Sequence, residues 1–163
     1  MAVEVERKFL VRGEQWRELV VSSQDLQQGY LAASATCLVR VRAADDAGWL
    51  TIKGATPVPG EGQALVRSEY EWSIPAEEAR SLLGELALSS VAKTRHFLSC
   101  GPGEWTVDEF VADNAGLVLL EIEGQQAAGL TQAQLPDWVG EDVSADGRYS
   151  NAYLSQHPYR TWQ

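Results

Sequence analysis

Val3-Glu4-Val5-Glu6-Arg7-Lys8-Phe9-Leu10-Val11 is the stretch that decides how this chain must fold. Successive side chains of an extended strand point to opposite faces, so Glu4, Glu6 and Lys8 share one face and Val3, Val5 and Phe9 the other. One such strand could simply have its charged side in water. The pattern recurs, however: Arg40 and Arg42 are flanked by Val39 and Val41, and Arg67, Glu69 and Glu71 by Val66, Tyr70 and Trp72. Lys93 and Arg95 keep the same spacing, and Glu121 and Glu123 are flanked by Leu120 and Ile122. Five segments with charges two residues apart point to one shared charged surface.

Alternation of this kind covers residues 2–11, 25–34, 36–44, 48–54, 63–74, 90–99, 104–112 and 116–124. Eight strands with short connections are enough for an antiparallel sheet to close into a barrel. Glu14 to Val21 has helical spacing, with Trp16, Leu19 and Val20 on one side, and predicts a short covering helix. Pro75-Ala76-Glu77-Glu78 is a helix start, and Ala79, Leu82, Leu83 and Leu86 continue it as an apolar stripe. Residues 55–62 read as a loop, and 125–163 as short helical stretches and turns. The expected fold is therefore mainly β (α+β): one domain over 1–163, an eight-stranded antiparallel β-barrel with a few covering helices. If the charged faces turn inward, the apolar outer faces need cover from the helices, the C-terminal segment or a second copy of the chain, which makes a homodimer one option.

At 163 residues, 45% hydrophobic and with six Trp, the chain can build a core without disulfides. Its longest apolar run, Leu117 to Leu120, is too short for a bilayer, and its charged start does not resemble a signal peptide. The expected location is cytoplasmic. Cys37 and Cys100 lack metal-ligand spacing and read as reduced thiols. A net charge of −10 argues against nucleic acid or an anionic membrane as partner unless the few basic groups are concentrated. All three lysines, Lys8, Lys53 and Lys93, do fall in strand-like segments.

The candidate inner set is acidic at Glu4, Glu6, Glu69, Glu71, Asp108, Glu121 and Glu123. It is basic at Lys8, Arg40, Arg42, Lys53, Arg67, Lys93, Arg95 and Arg148. Neither half is tolerable alone in a bore. Clustered carboxylates call for a hard cation such as Mg²⁺ or Mn²⁺, and clustered Arg and Lys call for a polyanion, best of all phosphate. The alternative is a network of cross-strand salt bridges on an exposed sheet face, needing no ligand. His96 lies on the strand face opposite Lys93 and Arg95, and His157 precedes a proline, so neither presents a visible carboxylate or nucleophile partner. There is no glycine-rich phosphate loop, dinucleotide fingerprint or nucleophile elbow, so side chains must do the phosphate binding.

Glu4-x-Glu6-x-Lys8 resembles the E-x-E-x-K signature of the CYTH superfamily, the triphosphate tunnel metalloenzymes. QGYL at 28–31, LVRVR at 38–42, LTIKG at 50–54, RSEYEW at 67–72, KTRHF at 93–97, GLVLLEIE at 116–123 and RYSNAYL at 148–154 extend the likeness. The chain is most similar to the short bacterial inorganic triphosphatases of that superfamily. The resemblance implies a barrel whose tunnel binds a linear triphosphate with Mg²⁺ or Mn²⁺ and hydrolyses tripolyphosphate to pyrophosphate and phosphate. It implies that Glu4, Glu121 and Glu123 hold one metal, and that Glu6, helped by Glu69, Glu71 or Asp108, holds a second. Lys8, Arg40, Arg42, Arg67, Lys93, Arg95 and Arg148 become the phosphate ligands. Tyr30 and Lys53 match a catalytic pair that orients or deprotonates water. Thiamine triphosphatase, nucleoside triphosphatase, adenylyl cyclase and a non-catalytic triphosphate-binding module are the alternative functions, since all of these grip a triphosphate.

Overall fold

A computed structural model describes residues 3–55 and 57–162. Its strands are β1 (Val3–Val11), β2 (Val20–Ala33), β3 (Cys37–Ala43), β4 (Gly48–Gly54), β5 (Leu65–Ile74), β6 (Ser89–Leu98), β7 (Glu104–Phe110), β8 (Val118–Glu123) and β9 (Val139–Asp142). The two α-helices are α1 (Ala76–Leu86) and α2 (Asn151–Gln156). The first eight strands pair antiparallel in the order β5-β4-β3-β2-β6-β7-β8-β1, and β1 also pairs with β5, which closes the ring.

β1 is the seam. Its first half pairs with β5 through Val3↔Ser68 and Glu4↔Arg67, and its last residues pair with β9 through Phe9↔Asp142 and Val11↔Val139. Between them, the Lys8 backbone N–H donates to Ser144 Oγ at 2.9 Å and the Val143 N–H to the Lys8 carbonyl at 2.9 Å. Ser144 thus closes the edge where β5 has ended and β9 has not taken over.

Strand parity turns the charged positions inward, and most of the apolar core lies outside the ring. Phe9, Trp16, Trp105, Val107, Leu120 and Ile122 pack under the segment carrying Ala127, Leu135 and Trp138. Val41 and Ala43 pack under Ala79 of α1 on the outside, whereas Val91, Phe110 and Leu119 share the inward parity of Lys93, Asp108 and Glu121 and pack with Leu154 of α2 within the ring. Each fully buried Phe, Leu or Ile contributes about 1.5–3 kcal/mol, so these covers offset the cost of filling the bore with charge. α1 sits close enough to β4 that a Cβ on Gly48 would come within 2.6 Å of the Ala79 Cβ, which explains a glycine in mid-sheet. Arg7, the one outward charge of β1, donates to Asp142 Oδ2 at 2.6 Å and to the Leu130 carbonyl at 2.5 Å, and so ties the C-terminal cover to the ring.

Two expectations need correction. Glu14–Val21 is not an α-helix: a 3₁₀ turn, Gln15–Leu19, buries Trp16, and the β-branched Val20 and Val21 already belong to β2, which runs for 14 residues. The polar stretch SSQDLQQ hid that strand, because its outer-face positions are polar and pair with β6 through Ser23↔His96 and Asp25↔Thr94. β9 lies within the segment read as helical stretches and turns; four residues are too few for a periodic signal. Within one copy of the chain, the helices and the C-terminal segment leave Val3, Val66, Tyr70 and Trp72 on the outer face of β1 and β5 between 43% and 51% exposed. Among the described residues, no helix is long and apolar enough to cross a membrane.

Candidate active site

Seven acidic and seven basic side chains line a cavity of about 230 Å³ inside the ring. The acids are Glu4 and Glu6 from β1, Glu69 and Glu71 from β5, Glu104 from β7, and Glu121 and Glu123 from β8. The bases are Lys8, Arg40, Arg42, Lys53, Arg67, Lys93 and Arg95. Seven of the chain's 13 basic residues are thus concentrated in one cavity of a protein with net charge −10. Tyr30 borders the same space, and Ser150, Asn151 and Ala152 close one side from the start of α2.

These charges are paired locally rather than at random. Glu4 lies between Lys53 Nζ at 2.7 Å and Arg67 Nε at 2.6 Å, and Lys53 also reaches Glu69 at 2.8 Å. Burial works against a charged Glu4, but the Lys53 ammonium and Arg67 guanidinium outweigh it and hold its carboxyl down at about 2. Arg95 grips Asp108 with Nε at 2.7 Å and Glu121 with Nη2 at 2.6 Å. Lys93 contacts the same Asp108 and donates to Asn151 Oδ1 at 3.1 Å. Burial, with Arg95 beside it, lowers the Lys93 ammonium to about 8 despite Asp108. Arg40 donates to Thr51 Oγ1 at 3.1 Å and lies 3.3 Å from Glu71, whose other close cation is Arg42 at 3.5 Å. Burial and the neighbouring Arg40 and Arg95 lower Arg42 to about 10.

One part of the cavity is acidic in excess. Glu123 stands opposite Glu6 of β1 and Glu104 of β7 in the strand register, a placement that is repulsive for like charges. Partial burial and repulsion from Glu4, Glu6, Glu69 and Glu104 push the Glu123 carboxyl up to about 7. Burial likewise raises Glu6, aided by Glu4 and Glu121 against the pull of Lys8. Lys8 Nζ is 3.6 Å from Glu6 Oε1, and that buried oxygen has no hydrogen-bond partner. The donor set of hard oxygens with uncompensated charge fits a divalent cation. Among the described residues no three acidic side chains converge closely enough to chelate one as they stand, because most are turned towards lysine and arginine.

Two residues named from sequence lie off the open space. Asp108 shares the inward face of β7 but is fully enclosed by Lys93 and Arg95 and does not border the open space. Arg148 is exposed, in a 3₁₀ turn (Gly147–Tyr149), and grips Asp146 at 2.6 Å. Lys53 is engaged by Glu4 and Glu69, and among the described residues its contacts do not include the Tyr30 hydroxyl. That hydroxyl accepts from Gln28 Nε2 at 3.1 Å. Glu104, Gln28, Thr51 and Asn151 went unnoticed in the sequence; Glu104 was recoverable, since it shares the parity of Thr106 and Asp108 on β7. His96 does have a carboxylate partner, Glu109 at 2.9 Å, with Ser23 Oγ at 2.7 Å from its other ring nitrogen, but on the outer face of the ring.

A second chamber of about 320 Å³ adjoins the cavity at the β1 seam and shares Glu6, Lys8, Leu38, Arg67, Ser150 and Ala152 with it. Its remaining lining includes Cys37, Val58, Pro59, Leu65 and Val143, and is largely aliphatic.

The sequence pattern of the CYTH domain matches residues 2–145. The chain is 35% identical over 164 residues to a protein of Acetivibrio thermocellus named inorganic triphosphatase, covering 100% of this chain and 99% of that one. It is 31% identical over 154 residues to a protein of the same name from Nitrosomonas europaea, covering 93% and 96% respectively. The crystal structure of the inorganic triphosphatase NE1496 superposes with a TM-score of 0.63 at 30% identity, over 93% of this chain and 96% of that chain. A plant protein from Hippeastrum, described as a putative adenylyl cyclase with a dominant triphosphatase activity, shares the fold at a TM-score of 0.56 and 13% identity.

Proposed function

Since the chain belongs to the CYTH domain family, we propose that it hydrolyses inorganic tripolyphosphate to pyrophosphate and phosphate within the ring, with Mg²⁺ or Mn²⁺. The observation that carries this reading is the joint presence of seven basic and seven acidic side chains around one small cavity. About 230 Å³ lies below the 300–1,000 Å³ typical of organic ligand sites and suits a compact polyanion. The names of the two relatives support the same substrate.

Lys8, Arg40, Arg42, Arg67, Lys93 and Arg95 bind the phosphate oxygens by exchanging their carboxylate partners for phosphate. The carboxylates so released, Glu4, Glu6, Glu69, Glu71 and Glu121, would hold the cation together with Glu123. When bound, a divalent cation neutralises phosphate oxygens and makes water more acidic. Burial raises the Tyr30 phenol despite Arg40 and Gln28, so at neutral pH it is an uncharged donor that orients the attacking water. Glu123, whose carboxyl is raised to about 7, is better matched than the phenol to accept the water's proton near neutral pH. The guanidinium groups stabilise the charge that builds on the transferred and leaving phosphates.

One observation favours a second reading. The aliphatic chamber at the seam has room for an organic group on one end of a triphosphate. Phosphate release from tripolyphosphate, ATP, thiamine triphosphate and pyrophosphate, with Mg²⁺, Mn²⁺ or chelator, separates the readings. Tripolyphosphate is expected to be the best substrate and chelator to abolish turnover. Preference for an organic triphosphate would move the assignment to the second reading, and undiminished turnover in chelator would remove the cation.

A further inference from the structure

Gln28 is 1% exposed on the inner face of β2, two residues before Tyr30, and does not border the open cavity. Its Nε2 donates to the Tyr30 hydroxyl oxygen at 3.1 Å, while its Oε1 is buried without a hydrogen-bond partner. A buried amide left half satisfied destabilises a fold, and a Leu or Met of similar volume would remove that cost. An amide at this position therefore has to be explained by what it does for its one partner.

We propose that Gln28 is a positioning residue that aims the Tyr30 hydroxyl proton into the cavity. A phenol has one donor hydrogen and two acceptor lone pairs. With the amide donating to the oxygen from the wall side, the hydrogen cannot also point there, and it is directed towards the space lined by Lys8, Arg40 and Arg67. The same donation favours ionisation and opposes the effect of burial, which moderates how far the phenol is raised. Without Gln28 the hydroxyl can rotate away, and water or a phosphate oxygen loses a fixed donor. This rests on Tyr30 acting in the reaction as proposed above.

A double-mutant cycle with Tyr30→Phe and Gln28→Met, read with Mg²⁺ and tripolyphosphate, tests it. Gln28→Met is expected to lower kcat roughly fivefold, the worth of one hydrogen bond, with KM within about twofold of wild type. In the Tyr30→Phe background it should have no further effect, since no hydroxyl remains to aim. Its melting temperature in chelator should equal or exceed that of wild type. Gln28→Glu keeps the shape but removes the donor, should lose turnover in the same way, and serves if Gln28→Met does not fold. A Gln28 effect that persists undiminished in Tyr30→Phe, or wild-type turnover in Gln28→Glu, overturns the assignment while leaving Tyr30 in the reaction. Full turnover in Tyr30→Phe removes the tyrosine, and Gln28's role with it.

Discussion

Glu4→Gln and Glu123→Gln change the same chemistry in one cavity and should move metal-free stability in opposite directions. Glu4 is 6% exposed and shared by Lys53 and Arg67, so its amide variant removes the counter-charge that these two cations have in common. Its carboxyl stands at about 2 against an ordinary 4.5. At roughly 1.4 kcal/mol per tenfold change in acidity, that difference amounts to about 3 kcal/mol of stability carried by the ionised form. In a domain of this size the loss should lower the melting temperature by roughly 6–12 °C. The contribution is complete above pH 4.5 and disappears as pH falls towards 2, so the gap between wild type and variant should close in strong acid. Glu123 behaves inversely. With its carboxyl raised to about 7, ionisation works against the fold, and stability held below pH 4.5 is lost as pH rises through 7. Glu123→Gln should therefore melt above wild type near pH 8.5 and with it near pH 4.5. Scanning calorimetry in chelator across that range measures both. If Glu4→Gln melts with wild type at pH 7, the Lys53–Glu4–Arg67 cluster is not holding the ring together and the pairing described here is wrong.

Other consequences can be checked separately. Arg40→Ala or Arg42→Ala should weaken the rise in melting temperature produced by metal and tripolyphosphate, whereas Arg148→Ala, exposed and bound to Asp146, should leave it unchanged. An equal loss at Arg148 would bring that residue back to the phosphates. Because Lys93 is lowered to about 8, tripolyphosphate binding near pH 8.5 should take up a proton, seen in calorimetry as a dependence on buffer ionisation enthalpy that Lys93→Met removes. Gly48→Ala should destabilise the protein by about 1–3 kcal/mol in chemical denaturation, since its methyl would overlap Ala79; an unchanged midpoint would mean that α1 does not pack on β4 so closely.

The inward set was legible because charge two residues apart recurs over five segments, where a single strand of that kind would only have marked a wet sheet face. Glu4, Glu6 and Lys8 on β1, Arg40 and Arg42 on β3, and Glu121 and Glu123 on β8 all border the cavity on parity alone. Arg148 entered the inner set without strand parity behind it, and lies outside the ring. Gln28 and Thr51 carry no charge, so nothing in the residue string separates them from surface polar positions; only their burial does. β2 was truncated for a related reason: its outward Ser23 and Asp25 meet polar partners on β6 instead of an apolar cover. The excess of carboxylate near Glu123 follows from register, which places Glu6 and Glu104 on either side of it and cannot be counted from spacing within one strand.

The seam at β1 also governs how the molecule can come into being. The first strand of the chain finds its partners in β8 and β9, among the last elements in order, through pairs such as Lys8↔Glu121 and Phe9↔Asp142. Local hairpins such as β3–β4 and β6–β7 can form as soon as they are made, but closure has to wait for the whole strand sequence and carries the entropy of one long loop. Until that moment Glu4, Glu6 and Lys8 line an open gutter in full contact with water, and the desolvated electrostatics of the bore do not exist. Refolding should therefore be slow and strongly cooperative at its last step, with phosphate-binding competence gained at closure and not gradually along the way.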